Sequence, residues 1–255
     1  MLNWYSDQEP IVKPEKFAPK NLDFVKLGVI VFIRRVYNWM KAAAPDIILE
    51  REESIIGAKR FFATESGLAV FHSYFGAPAA VALAEALIAA GIKQLIVFGE
   101  AGSISPKIDI GEILIPTFAI REEGVSYHYL PPNVRAEPSS SLLRKIKAFL
   151  DEAGIRYKMG GVWTTDAPFR ETMNKILAYS EAGALAVEME CSAIFCLSKY
   201  RKVDSAAILV ITDTLYEGAW RPAFQEARVI NAEKKVSETL VKHLAELAKI
   251  NSLQK

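Results

Sequence analysis

Two apolar runs that each deliver an acid at the same end constrain this 255-residue chain more than any other feature. The first, Ala184-Leu185-Ala186-Val187, ends in Glu188-Met189-Glu190 and passes into the small-residue stretch Cys191-Ser192-Ala193-Ile194. The second, Ala206–Ile211, ends in Thr212-Asp213-Thr214. Short continuous apolar runs of this kind read as strands buried on both faces. Open α/β sheets bind ligands outside the carboxyl ends of their strands. An acid at such an end therefore stands where a ligand reaches it. A single carboxylate there is equally well a solvated strand end, but two on consecutive strands begin to describe a site.

The rest of the chain agrees with alternating strands and helices. Pro10, Pro14 and Pro19, mixed with lysines and aromatics, mark residues 1–22 as an irregular arm lying on the body or on a neighbouring subunit, ahead of one domain over 23–255. Leu27–Ile33 reads as a strand, and Arg34–Ala44 as a helix stopped by Pro45. Ile56–Ser73 reads as a hairpin turning near Ser66-Gly67, and Gly76-Ala77-Pro78 opens a helix over Ala79–Ala90 that is apolar nearly all round. Gln94–Phe98 is a strand, followed by Gly99-Glu100-Ala101-Gly102-Ser103, where small residues allow either a tight turn or close approach to a ligand. Asp109–Pro116 turns into a strand running through Phe118–Arg121 toward Gly124–Tyr129, broken by Pro131 and Pro132. Ser139–Ala153 is a helix with a serine cluster for its N-cap, Gly160–Thr165 a strand, Glu171–Ala182 a helix, and Phe224–Ile250 a long amphipathic helix. The class is α/β in one domain.

Composition excludes some partners. With 31 basic against 30 acidic residues, there is no electrostatic case for nucleic acid. Cys191 and Cys196 match neither a disulfide framework nor a metal site, so a reducing cytoplasm and no bound metal are expected. The run Leu27–Ile33 is too short to span a bilayer and is closed by Arg34-Arg35, and Met1–Asp7 lacks the pattern of a signal peptide, so no membrane role is expected.

Read together, the motifs resemble the nucleoside phosphorylase family: purine and uridine phosphorylases and their hydrolytic relatives. Gly76-Ala77-Pro78 is similar to the family's Gly-Gly-Pro segment, and Gly99-Glu100-Ala101-Gly102-Ser103 stands at its phosphate loop. Ile110–Ile115 matches its glycine-acid strand, Gly124–Tyr129 its ribose-facing histidine segment, and Thr165–Phe169 the stretch beside the base. Val187-Glu188-Met189-Glu190 is close to the family signature, and Thr212-Asp213-Thr214 stands where purine-cleaving members carry a catalytic aspartate. The resemblance runs from about Leu27 to the last helix. It implies a three-layer fold with a central mixed, twisted sheet flanked by helices.

It also implies roles. Cleaving an N-glycosidic bond builds positive charge on the ribose and negative charge on the departing base. Glu190 would accept hydrogen bonds from the ribose hydroxyls, with Met189 beneath the sugar and His128 at its 5′ end. Asp213 would protonate a purine at N7, which tilts the substrate toward purine over uridine; its plainer role is a helix N-cap after the strand. Phe169, Arg170 and Asp166 would face the base. For phosphate the family's glycine-turn arginine motif survives only as Arg35, a second arginine is replaced by Val97, and the phosphate threonine by Glu100. A carboxylate there repels an incoming dianion. Phosphate binding would fall to Arg35, Gly99, Glu100 and Arg60, with Arg35, Arg60 or Arg121 compensating the carboxylate. The expected reaction is phosphorolysis, with phosphate as co-substrate and no organic cofactor; the alternatives are a nucleosidase using water, with Glu100 as base or sugar contact, and a non-catalytic nucleoside binder. The family's habit implies a homo-oligomer, dimer or hexamer.

Overall fold

The computed structural model describes residues 4–6, 8–52 and 56–252, with side chains through His243. Met1–Asn3 and Asp7 of the expected arm lie outside them. The rest of the arm lies on the body: Pro14–Lys16 forms a 3-10 turn, Trp4 stacks on His128, and Leu22 is buried.

In chain order the elements are β1 (Leu27–Val31), α1 (Arg34–Ala43), β2 (Ile47–Arg51), β3 (Ala58–Thr64), β4 (Leu68–Ser73), α2 (Ala77–Ala89), β5 (Gln94–Ser103) and β6 (Ile113–Glu122). Then follow α3 (Ser126–Tyr129), α4 (Ser140–Glu152), β7 (Lys158–Thr165), α5 (Met173–Glu181), β8 (Ala184–Glu188), α6 (Cys191–Arg201), β9 (Asp204–Thr214), β10 (Arg221–Pro222) and α7 (Ala227–Ser252). The strands form one mixed sheet in the order β10-β9-β6-β7-β8-β5-β1-β4-β3-β2, and β9 also pairs with β5. That extra pairing closes β5, β9, β6, β7 and β8 into a ring, while β1 to β4 extend from it as a twisted wing.

The central strands are buried on both faces because each face meets helices. On one side α2 and α6 contribute Leu83, Leu87, Ile194 and Phe195 to a core with Val97 and Leu209. On the other, α1, α4 and α7 bring Tyr37, Met40, Ile146, Phe149, Val236 and Leu240 against Val29, Ile96 and Ile208. Full burial of each such side chain stabilises by about 1.5–3 kcal/mol relative to exposure. The alanines of α2 let it approach α6 closely, and Arg201 locks the pair through a bidentate bond to Glu85 at 2.8 and 2.9 Å. Cys191 and Cys196 are free thiols inside α6.

Three local expectations change, and one strand was not anticipated. Gly99–Ser103 is no turn: it continues β5, because it has partners on both sides in β8 and β9. Ser126–Tyr129 is a helical turn rather than strand, held by the Arg121 guanidinium, which donates to Ser126 Oγ and to the carbonyls of Leu130, Pro131 and Val134. Ser139 does stand at the N-cap of α4, but its hydroxyl accepts the Ser205 N–H instead of capping the helix. Finally, β2 carries no clear pattern, since it is an edge strand that is mostly exposed.

Candidate active site

Strand β5 organises the site. Its first eight residues run parallel to β9, and its last two, Gly102 and Ser103, pair with Val187 and Ala186 of β8 while still facing β9. The exits of three strands thus converge. A cavity of about 540 Å³ opens there, within the range that holds a small organic ligand. Glu100, Phe169, Met189, Glu190 and Asp213 all line it.

Glu190 is positioned by a sharp turn on another element. Gly76 sits at φ 98°, a conformation that favours glycine, and its N–H donates to Glu190 Oε1 at 2.5 Å. Burial and the neighbouring charge of Glu188 push the Glu190 carboxyl up to about 8. Glu188 does a different task. Its Oε2 accepts the N–H groups of Glu190 and Cys191 at 2.7 and 2.8 Å, and its Oε1 accepts the Thr164 hydroxyl. It closes the start of α6, leaving Glu190 free for a ligand.

Asp213 reaches the cavity through a bulge. The pairing of β5 with β9 slips by one residue between Ala101 and Gly102, so that Gly102 faces Asp213 rather than Thr212. Successive side chains alternate across a sheet, and one extra residue reverses the alternation. The absent side chain of Gly102 makes the room: a Cβ there would stand 2.8 Å from Asp213 Oδ2 and 2.6 Å from Leu215 Cδ1. Asp213 accepts from the Thr212 hydroxyl and from Trp220 Nε1, both at 2.9 Å, while burial raises its carboxyl above the usual range. No helix follows it, so it caps none; β9 returns through a hairpin to β10.

Glu100 belongs to an ion cluster in which Arg35 was an expected partner and Glu233 was missed by sequence reasoning. Arg35, at the start of α1, donates Nε and Nη2 to the two oxygens of Glu233 at 2.6 and 2.9 Å, and Nη2 also reaches Glu100 Oε1 at 2.8 Å. Glu233 is 1% exposed on α7. Its place one turn from Val229 and from Val236, on the buried stripe, was the readable signal. Burial, then a hydrogen bond and repulsion from Glu233, push the Glu100 carboxyl up to about 8 despite Arg35. Glu171 was also missed. It lines the cavity beside Phe169, and burial with repulsion from Asp213 and Glu122 raises its carboxyl to about 7.

Other expected residues lie elsewhere. His128 is exposed and stacks on Trp4 at 5.5 Å, outside the cavity lining, because the helical turn at 126–129 carries it away. Asp166 accepts the Gly124 N–H at 2.9 Å, tying two loops together. Arg170 ends an exposed 3-10 turn whose Pro168 and Phe169 line the cavity, but Arg170 itself is not among the lining residues. Arg60 pairs with Glu52 at 3.1 Å. Gly99 is buried within β5 beneath Phe32, and Arg121 is consumed by the carbonyls of its own loop.

Five carboxylates, those of Glu100, Glu171, Glu188, Glu190 and Asp213, therefore line one cavity, and no lysine, arginine or histidine is among the described lining residues. Phe32, Phe75, Phe169, Met189 and Trp220 supply apolar walls. Such a site suits a neutral ligand with several hydroxyls and a flat ring. Among the described residues no group of three or more His, Cys, Asp or Glu is arranged to hold a metal ion, and no helix is long and apolar enough to cross a membrane.

A family description, the Phosphorylase superfamily, matches residues 50–249. The chain belongs to that superfamily. It is an enzyme of the nucleoside phosphorylase type, as its motifs led us to expect. It is 28% identical over 203 residues to a purine nucleoside phosphorylase of the DeoD type from Exiguobacterium sibiricum, covering 75% of this chain and 83% of the relative. The fold is that of a purine nucleoside phosphorylase from Toxoplasma gondii in complex with immucillin-H (TM-score 0.80, 19% identity, 96% and 98% of the two chains). It is also that of an AMP nucleosidase from Bacteroides thetaiotaomicron (TM-score 0.69, 22% identity, 89% and 94%).

Proposed function

We propose that this superfamily member cleaves the N-glycosidic bond of a purine nucleoside and that water, not phosphate, accepts the sugar. The observation that carries the choice of acceptor is the Arg35 cluster. Its guanidinium is already shared by two carboxylates, and the described cavity lining offers no other cation. A phosphate dianion would be desolvated there with no free cation to offset the cost. In this reading Glu190 accepts from the ribose hydroxyls, Met189 packs against the sugar, Phe169 stacks on the base, and Asp213 protonates the leaving purine. No organic cofactor or metal is required by this chemistry. A second reading, phosphorolysis, is favoured by the relatives at 28% identity that are named phosphorylases.

The test is to incubate the protein with inosine, adenosine, methylthioadenosine and uridine, with and without phosphate, and to follow free base and sugar. We expect purine release without phosphate and free ribose as product. Release that requires phosphate and yields ribose 1-phosphate would replace this reading by the second. Faster cleavage of uridine than of any purine nucleoside would remove Asp213 from its role. A cytoplasmic homo-oligomer, dimer or hexamer, is part of the same proposal; the exposed apolar side chains of Ile11, Val12 and Phe75 support it.

A further inference from the structure

We infer that Glu100 is the general base that takes a proton from the attacking water, and that Glu233, through Arg35, positions it. The inference rests on hydrolysis as proposed above. Among the described ion pairs Glu100 is the one cavity carboxylate held by a cation: Arg35 on α1 reaches it at 2.8 Å, and Arg35 is itself held by both oxygens of Glu233 on α7. It stands two residues before Gly102 in β5, hence on the same face of the strand, about 7 Å along it. Gly102 is the residue that faces Asp213. Base and acid therefore flank one pocket along one strand edge, an arrangement that leaves space for a bond to be attacked on one side and released on the other.

The step balances simply. The water O–H bond breaks and its proton goes to the Glu100 carboxylate, while the water oxygen forms the bond to C1′ of the sugar. The C1′–N bond breaks with its electron pair going to the base, which takes a proton from Asp213. Glu100 ends protonated and Asp213 ionised; proton exchange with solvent restores both.

Glu233 does more than hold Arg35. It sets a second negative charge near Glu100, which favours the protonated form of Glu100. The charged groups around Glu100 are Arg35 from α1, Glu233 from α7 and Asp213 from β9, with Glu171, Glu188 and Glu190 across the cavity. Replacing Glu233 by glutamine removes a repulsion and frees Arg35 to pair with Glu100 alone. Both changes move Glu100 ionisation to lower pH.

The experiment is the pH profile of kcat/KM for phosphate-free hydrolysis by the wild type, Glu100→Gln, Glu100→Asp and Glu233→Gln. We expect a break near pH 8 in the wild type, the value to which Glu100 is raised. Glu100→Gln should lose roughly 10²–10⁴-fold in kcat and lose the break. Glu100→Asp should keep a break at a reduced rate, and Glu233→Gln should shift it to lower pH, a readout that a purely structural role does not move. Hydrolysis by Glu100→Gln within a few-fold of the wild type, or a break unmoved in Glu233→Gln, overturns the inference while leaving hydrolysis intact. Base release by the wild type only with phosphate overturns both.

Discussion

Gly102 and Asp213 act as a pair. The space that a Cβ at Gly102 would fill is the space in which the Asp213 carboxyl lies, 2.8 Å away. Both atoms that would be displaced, Asp213 Oδ2 and Leu215 Cδ1, are side-chain ends, so Gly102→Ala should shift them without moving the backbone. We expect the variant to lose about tenfold or more in kcat with a stability change at the low end of the roughly 1–3 kcal/mol usual for overpacking. Steady-state kinetics beside a thermal melt checks this; undiminished turnover would mean that Asp213 does not need its present position. Neither residue is informative alone, because a glycine in a strand and an aspartate at a strand end each have ordinary explanations.

At the scale of elements, the Glu188-Met189-Glu190 segment divides its labour between fold and ligand. The first residues of α6 are wholly buried, and their N–H groups have no water to meet. Glu188 accepts the N–H of Cys191, the first helical residue, and that of the N-cap residue Glu190. Glu188→Ala should therefore cost about 1–3 kcal/mol for orphaned buried donors, read by urea denaturation. Glu190→Ala orphans one donor, the Gly76 N–H, but also removes a buried carboxyl; it should cost less stability than Glu188→Ala and instead weaken nucleoside binding, measured by calorimetry. Equal loss of stability in both variants would deny the division. The same logic explains why α1 and α7 matter to the cavity. Their helix-to-helix packing includes the Arg35–Glu233 bond, which sets Glu100.

The whole molecule gathers five carboxyls around one cavity, and this has a consequence for stability. Glu100 and Glu190 are raised from 4.5 to about 8, and Glu171 to about 7, each chiefly by burial. A carboxyl whose folded value lies above its unfolded value holds more protons in the native state. Stability from these groups is then fully present below about pH 4.5 and is lost as pH rises through the folded values. We expect the melting temperature to decline between about pH 5 and pH 8.5, and the slope to flatten in Glu100→Gln/Glu190→Gln. A melting temperature that rises across that window would show these carboxyls ionised in the folded state at neutral pH. The tension is that of many catalytic sites, where a carboxyl kept partly protonated serves chemistry at some expense of stability.

Much of this was legible in the chain itself. Strand and helix periods depend on local side-chain alternation, so the α/β class, the helices around Arg34–Ala43, Ala77–Ala89 and Ser140–Glu152, and the acids at the ends of β8 and β9 could be read directly. Contacts between residues far apart could not. The slip that turns Asp213 into the cavity depends on how two strands pair, the Gly76 bond to Glu190 spans 114 residues, and that of Arg35 to Glu233 spans 198. Strand pairing and ion clusters arise from packing, which no local period records. The acids were therefore visible in the sequence, but only the tertiary structure decided which ones share a cavity, and that an arginine expected for phosphate is already held by two glutamates.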